Sequence, residues 1–200
     1  PRKTWTAQTG AEGRADFEGL SRQVFQQGLE VYATTRHNGI EFKSARQTPG
    51  DALNLTIKVY PRGTDAGAVK IERLRTVVEP WEDYLVFTQF WTLTVDGNKA
   101  VDTSLLPDEE RGLALELPLK AEGIRPMGPG ETKVVNSIVF WKGILKPGDT
   151  QMVQVRYSMP AESSEFVYEQ KLDYPVADAD IVIPLETNYA KVPYLSGLEL

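Results

Sequence analysis

The side chains able to do chemistry are few and scattered. His37 is the single histidine, and cysteine is absent. A serine hydrolase triad would have to use His37, yet it stands beside Asn38-Gly39, a hairpin-turn signal, and no Gly-x-Ser-x-Gly elbow occurs. One histidine without cysteine is a poor basis for zinc. The absence of cysteine excludes disulfides and thiol catalysis. Acidic residues number 28, so carboxylate pairs of the glycosidase kind arise by chance. Asp96, Asp102, Asp108, Glu109 and Glu110 crowd loops at one end, where hard oxygen ligands could hold calcium. Their spacing fits no EF-hand, and a solvated acidic loop is the favoured reading. Gly128-Pro129-Gly130-Glu131 and Lys146-Pro147-Gly148-Asp149 lack the Gly-Lys-Ser/Thr of a phosphate loop and read as turns. No cofactor is expected. Asn54-Leu55-Thr56 is a sequon on an alternating stretch and reads as accidental.

Aromatic residues are the more informative set. Trp5, Trp81, Trp91 and Trp141, with Tyr84, Tyr174, Tyr189 and Tyr194, could line a face for sugar or peptide. Trp91 alternates with apolar residues and belongs to the core. Trp81 and Tyr84 flank a turn and are the better surface residues. Trp141 competes with Phe140 for the interior. Trp81, Tyr84 and Trp141 are therefore the expected interaction surface.

These residues must be positioned by strands. Apolar residues mostly alternate, and turn residues recur every 8–12 positions, as in a sandwich or barrel. Thr4–Thr9 reads as a short strand, and Gly10–Gly13 as a turn. Ser21–Gly28 is the one stretch that suits a helical turn. Leu29–Arg36 and Ile40–Ala45 form a hairpin around Asn38-Gly39. Leu53, Leu55, Ile57 and Val59 mark another strand. Val69–Glu79 has mixed faces: Arg73 and Arg75 interrupt one while Leu74, Thr76 and Val78 continue the other, so a bulge is expected in this strand. Tyr84–Val95 is the longest strand. Residues 99–112 and 124–131 read as loops. Leu113, Leu115, Leu117 and Leu119 alternate without a miss. Ile138–Pro160 is expected to be a hairpin whose turn is Leu145–Asp149. Glu165–Asp173 and Ile181–Ile183 complete about seven or eight strands after residue 68, as in an immunoglobulin-like sandwich.

The chain has 200 residues and a net charge of -6, which argues against a nucleic-acid partner. Residues 1–65 carry 9 Lys+Arg and 7 Asp+Glu; residues 66–200 carry 13 and 21. Pro61–Gly67 is polar and rich in breakers, and the charge balance changes across it. Domains at 1–65 and 66–200 follow. No run approaches the roughly 20 apolar residues of a membrane helix. The chain begins at Pro1, so a processed product is expected, with membrane attachment only through a segment outside this chain.

The run Thr9-Gly10-Ala11-Glu12-Gly13, continuing to Phe17 and Leu20, resembles the turn and strand of carboxypeptidase regulatory-like domains. These are small transthyretin-like sandwiches. The resemblance covers roughly residues 4–60 and lacks the family's opening strand. Gly143–Tyr157, with Tyr174-Pro175-Val176, resembles a module found beside such domains in envelope proteins of Gram-negative predatory and gliding bacteria. The fold expected is all-β: two β-sandwich domains, a small incomplete transthyretin-like one and a larger immunoglobulin-like one. The resemblance implies the periplasm or cell surface of a Gram-negative bacterium. It implies a non-enzymatic structural or interaction role, with other envelope proteins as partners in a homo- or hetero-assembly. A carbohydrate-binding module with polysaccharide as ligand is the alternative.

Overall fold

Stretches rich in β-branched and aromatic residues at period two become paired strands, because alternate side chains leave opposite faces of a pleated backbone. In the computed structural model the chain is all-β. The structure describes residues 4–17, 29–48, 53–81, 83–106, 112–161 and 166–183. The strands are β1 (Thr34–His37), β2 (Ile40–Lys43), β3 (Arg62–Gly63), β4 (Val69–Pro80), β5 (Tyr84–Val95), β6 (Ala100–Asp102), β7 (Leu113–Glu116), β8 (Glu122–Met127), β9 (Glu131–Val135), β10 (Ile138–Lys142), β11 (Ile144–Leu145), β12 (Gln151–Pro160) and β13 (Ala179–Val182). They form several open sheets, and the chain divides into two units, Pro1–Val59 and Tyr60–Leu200.

In the first unit β1 and β2 pair antiparallel around Asn38 and Gly39, both at positive φ, as the Asn-Gly signal predicts. A bridge between Val31 and Gln47 lengthens the hairpin, and Ile40 and Phe42 are buried. Gly13 N donates to Gly10 O at 2.9 Å, which closes the expected turn. Thr4–Thr9 and residues 53–59 are not strands. Leu53, Leu55 and Ile57 are still less exposed than their neighbours, so the alternation reports burial without a ladder. The expected turn at Pro49–Asp51 and the helical turn at Ser21–Gly28 lie outside the described residues.

The second unit is sandwich-like. One layer is a five-stranded sheet in the order β13-β4-β5-β12-β8. The facing layer consists of β7-β10-β9 and β11-β6-β3. Ile71, Phe87, Trp91, Leu93, Val153, Val155 and Tyr157 from the first layer share one core with Leu113, Leu115, Val139, Trp141 and Leu145 from the second. Arg62 and Gly63, within the stretch expected to link domains, pair with β6 of this unit. The bulge expected in β4 falls between Ile71 and Arg73, so Ile71 and Leu74, three positions apart, both face inward.

Several expectations are corrected. Ile138–Pro160 is not a hairpin: β10 pairs with β7 and β9, whereas β12 pairs with β5 and β8. The Lys146–Asp149 turn forms, with Asp149 N donating to Lys146 O at 3.0 Å, but it carries the chain from one layer to the other. Residues expected to be loops hold β6 and β8. Leu113, Leu115 and Leu117 are buried as predicted, whereas Leu119 lies beyond β7 and is 95% exposed. The stretch 166–173 joins no ladder; it lies along the side of the sandwich, where Phe166, Tyr168 and Leu172 pack on the core. β13 then runs parallel to β4, pinned by Arg75 Nε on Asp180 Oδ2 at 2.8 Å.

Candidate functional site

Trp81 and Tyr84 close the β4–β5 hairpin, where Trp81 N donates to Tyr84 O at 2.8 Å. Their rings stack at 6.1 Å between centroids and 4° between planes. They are 53% and 42% exposed. Two large rings held parallel and half-exposed can pack against a flat or apolar group.

Trp141, the third expected surface residue, is only 2% exposed and belongs to the core. Its indole N–H donates to Pro129 O at 3.0 Å. The reason is steric. A Cβ on Gly143 would stand 2.2 Å from the indole, and one on Gly130 would stand 2.3 Å from Nε1. The two glycines leave the slot that the ring fills, and Phe140, on the opposite face of β10, is buried as well.

The buried polar groups are occupied in holding the layers together. Gln89 is fully buried in mid-β5 at a core position. Its Nε2 reaches Thr76 Oγ1 at 3.2 Å, Tyr168 OH at 2.8 Å and Gln170 Oε1 at 2.7 Å. Two N–H groups thus serve three acceptors. Tyr168 OH donates to Gln170 Oε1, so Tyr157 is the donor in the 3.0 Å contact between the two phenols. Gln170 Nε2 in turn donates to Glu116 O at 2.6 Å. Burial pushes the Tyr168 phenol up to about 12, and burial with the neighbouring phenol raises Tyr157 further. Neither phenol supplies a base near neutral pH. The one sequence signal of this network is a glutamine interrupting the apolar alternation of β5.

Asp102, expected in a solvated acidic loop, is buried instead. Its Oδ2 accepts from Arg62 Nε at 2.9 Å and also from the Nη2 group. Its Oδ1 accepts from Ser104 N at 3.0 Å and Ser104 Oγ at 2.6 Å. Burial alone would raise its pKa; the Ser104 and Arg62 hydrogen bonds and the Arg62 charge outweigh it and hold the carboxyl below the usual range. Asp96, which was grouped with it, pairs with Lys70, and residues 108–110 lie outside the described residues. Among the described residues no three His, Cys, Asp or Glu side chains stand together as metal ligands. His37 is exposed at the end of β1, its Nε2 3.1 Å from Asn38 Nδ2. Asn54 is exposed and outside any strand.

No protein-family model matches the chain, and no curated protein matches it. Among solved structures it is similar to a mutant M1 zinc metallopeptidase from Deinococcus radiodurans bound to a Tyr-Ser-Ala substrate, at 15% identity and a TM-score of 0.32. That match covers 49% of this chain and 22% of the other. A second structure of the same mutant enzyme matches at 16% identity and a TM-score of 0.32, over 48% and 22%. The chain thus spans less than a quarter of the peptidase's length, and a likeness this low says nothing of activity.

Proposed function

We propose that the chain is a non-enzymatic structural and protein-interaction module of the bacterial cell envelope, in the periplasm or at the surface of a Gram-negative cell. In this reading the first unit is transthyretin-like and the second immunoglobulin-like, as the sequence resemblances imply. The observation that carries the reading is the Trp81–Tyr84 stack, which presents two half-exposed rings at the tip of the longest hairpin. Stacked aromatics that are anchored by a backbone hydrogen bond lose little freedom on contact, which favours recognition. The deployment of Gln89, Thr76, Asp102 and Thr103 in structural hydrogen bonds supports a role outside catalysis. The test is capture from a solubilised Gram-negative envelope fraction by the full chain and by a Trp81→Ala, Tyr84→Ala double variant. The double variant should melt like the parent and lose the specifically captured proteins. An unchanged captured set contradicts the reading.

The parallel rings also favour a second reading, a polysaccharide platform. A tryptophan-fluorescence titration with polysaccharides separates the two. Saturable quenching that disappears in Trp81→Ala supports the sugar reading, and silence across the series removes it.

A further inference from the structure

β9 is the outer strand of the β7-β10-β9 sheet. It keeps one register along β10, from Val135 opposite Ile138 to Glu131 opposite Lys142. It holds no proline, glycine or bulge, the features that most often blunt a sheet edge. Among the described residues no further backbone hydrogen bond reaches it. The other edges of the second unit are less suited to a new strand. β8 contains Pro126 and shifts register against β12 between Arg156 and Ser158. On β7, Glu116 O already accepts from Gln170 Nε2. β3 and β11 are two residues each, and the single charge of β13, Asp180, is held by Arg75.

The side chains of β9 say what fits beside it. Thr132 and Val134 lie opposite the core residues Trp141 and Val139, so they share the inner face. Val134 is 37% exposed there, with no strand beyond it to cover it. Glu131 and Lys133 share the outer face. Glu131 Oε1 meets Lys142 Nζ at 3.1 Å on one side and is otherwise open to solvent. Lys133 is exposed and forms no ion pair among the described residues.

A strand that pairs antiparallel with its own copy, both inner faces on the same side, must be centred on one of its residues. Centring on Lys133 sets lysine against lysine, and centring on Glu131 sets glutamate against glutamate, both unfavourable. Of the centres that β9 offers, Thr132 alone sets opposite charges across from each other. Glu131 of each copy then faces Lys133 of the other, which is the self-complementarity a two-fold interface requires. Val134 of each copy falls beside Gly130 of the other, where no side chain obstructs it.

We propose that β9 is a homodimerisation edge: it pairs antiparallel with β9 of a second copy, centred on Thr132, and joins two three-stranded sheets into one of six strands. The interface adds a second surface to the interaction reading above and does not involve Trp81 or Tyr84.

The test is sedimentation of the full chain over a range of concentrations, with charge variants and single cysteines. The parent should show a reversible dimer that added salt weakens. Glu131→Lys and Lys133→Glu should each raise the dimer dissociation constant at least about tenfold, because every facing pair becomes repulsive. Mixing the two variants should restore dimers, since each copy then faces the opposite charge; this recovery also shows that both are folded. The chain has no cysteine, so Thr132→Cys can bridge only two copies. Facing residues of an antiparallel pair stand about 4.5–5.5 Å apart between Cα atoms, a span a disulfide closes. Under mild oxidation Thr132→Cys should crosslink at least about fivefold faster than Glu131→Cys or Val134→Cys, whose own copies are offset. A chain that stays monomeric at every concentration overturns the proposal. So does a dimer that neither charge variant weakens, a mixture that fails to recover, or crosslinking that is not fastest at position 132. Envelope capture that depends on Trp81 and Tyr84 stands or falls separately from each of these results.

Discussion

Arg62 and Asp102, forty positions apart, meet through two guanidinium nitrogens on one carboxylate oxygen, while Ser104 takes the other. The pair ties the start of the second unit to β6 and reinforces the short parallel β3–β6 ladder. Asp102 also precedes Thr103, whose Oγ1 accepts from Gly143 N at 2.8 Å, so one turn braces the break between β10 and β11.

Removing the Asp102 carboxylate leaves Arg62 partly buried without its counter-charge. Asp102→Ala should cost about 2–3 kcal/mol at neutral pH, read by urea denaturation. The folded pKa of Asp102 is depressed, so its contribution is present above the ordinary carboxylate value and is lost as pH falls below about 4. The gap between parent and variant should therefore narrow in acid. A gap that is constant with pH contradicts the assignment.

The phenols act at the other end of the pH scale. Tyr168 is raised to about 12, so its buried neutral form contributes stability that is complete below the ordinary tyrosine value near 10 and is lost as pH rises toward 12. The parent should weaken between about pH 10 and about pH 12. Tyr168→Phe leaves Tyr157 OH without its acceptor and should cost about 1–3 kcal/mol at neutral pH. Its alkaline decline should be shallower, though present, because Tyr157 remains. Denaturation curves at several alkaline pH values check both.

Gly143→Ala would drive a Cβ into the Trp141 indole. It should destabilise by about 1–3 kcal/mol and shift indole emission to longer wavelength as Trp141 leaves Pro129 O. In a Trp141→Leu background the same change should cost clearly less, a non-additivity that a double-mutant cycle measures. Strict additivity contradicts the contact.

Arg156 on β12 pairs with Thr88 of β5, yet its guanidinium reaches Glu79 of β4 at 3.4 Å. Its stem therefore lies across the outer face of β5, which explains why Val86 there is buried while facing away from the core. Arg156→Ala should cost about 1 kcal/mol, and Arg156→Met less, because methionine keeps the apolar cover. Equal losses in thermal melts would show that the ion pair, and not the stem, matters.

Local periodicity made much of this fold readable. The inward alternation of β5, the bulge near Arg73 and the Asn38-Gly39 hairpin each follow from residues adjacent in sequence. Pairing across layers does not. Ile138–Lys142 and Gln151–Pro160 look like hairpin partners because a good turn joins them, but β7 and β5 compete better for their edges. The parallel docking of β13 depends on Arg73 and Arg75 meeting Asp178 and Asp180 from a distant stretch. The exposure of Trp81 and Tyr84 was legible because they flank a turn. Trp141 was not, since its slot is made by Gly130 and Gly143, whose closeness to the ring is a tertiary fact. Leu119 followed the leucine alternation one step too far, past the end of the strand. Gln89 and Asp102 had no visible partners in sequence, because Tyr168, Gln170 and Arg62 arrive from far along the chain.

The most direct test of an interaction role centred on the aromatic tip is a site-specific photo-crosslinking scan. A photoreactive phenylalanine would replace, one at a time, Trp81, Tyr84, Leu105, Met127 and Met152, all exposed apolar positions, before incubation with an envelope fraction. Crosslinked products should concentrate at positions 81 and 84, several-fold above the other three. Equal yields at all five, or a maximum at 127 and 152 on the outer sheet face, would contradict the account.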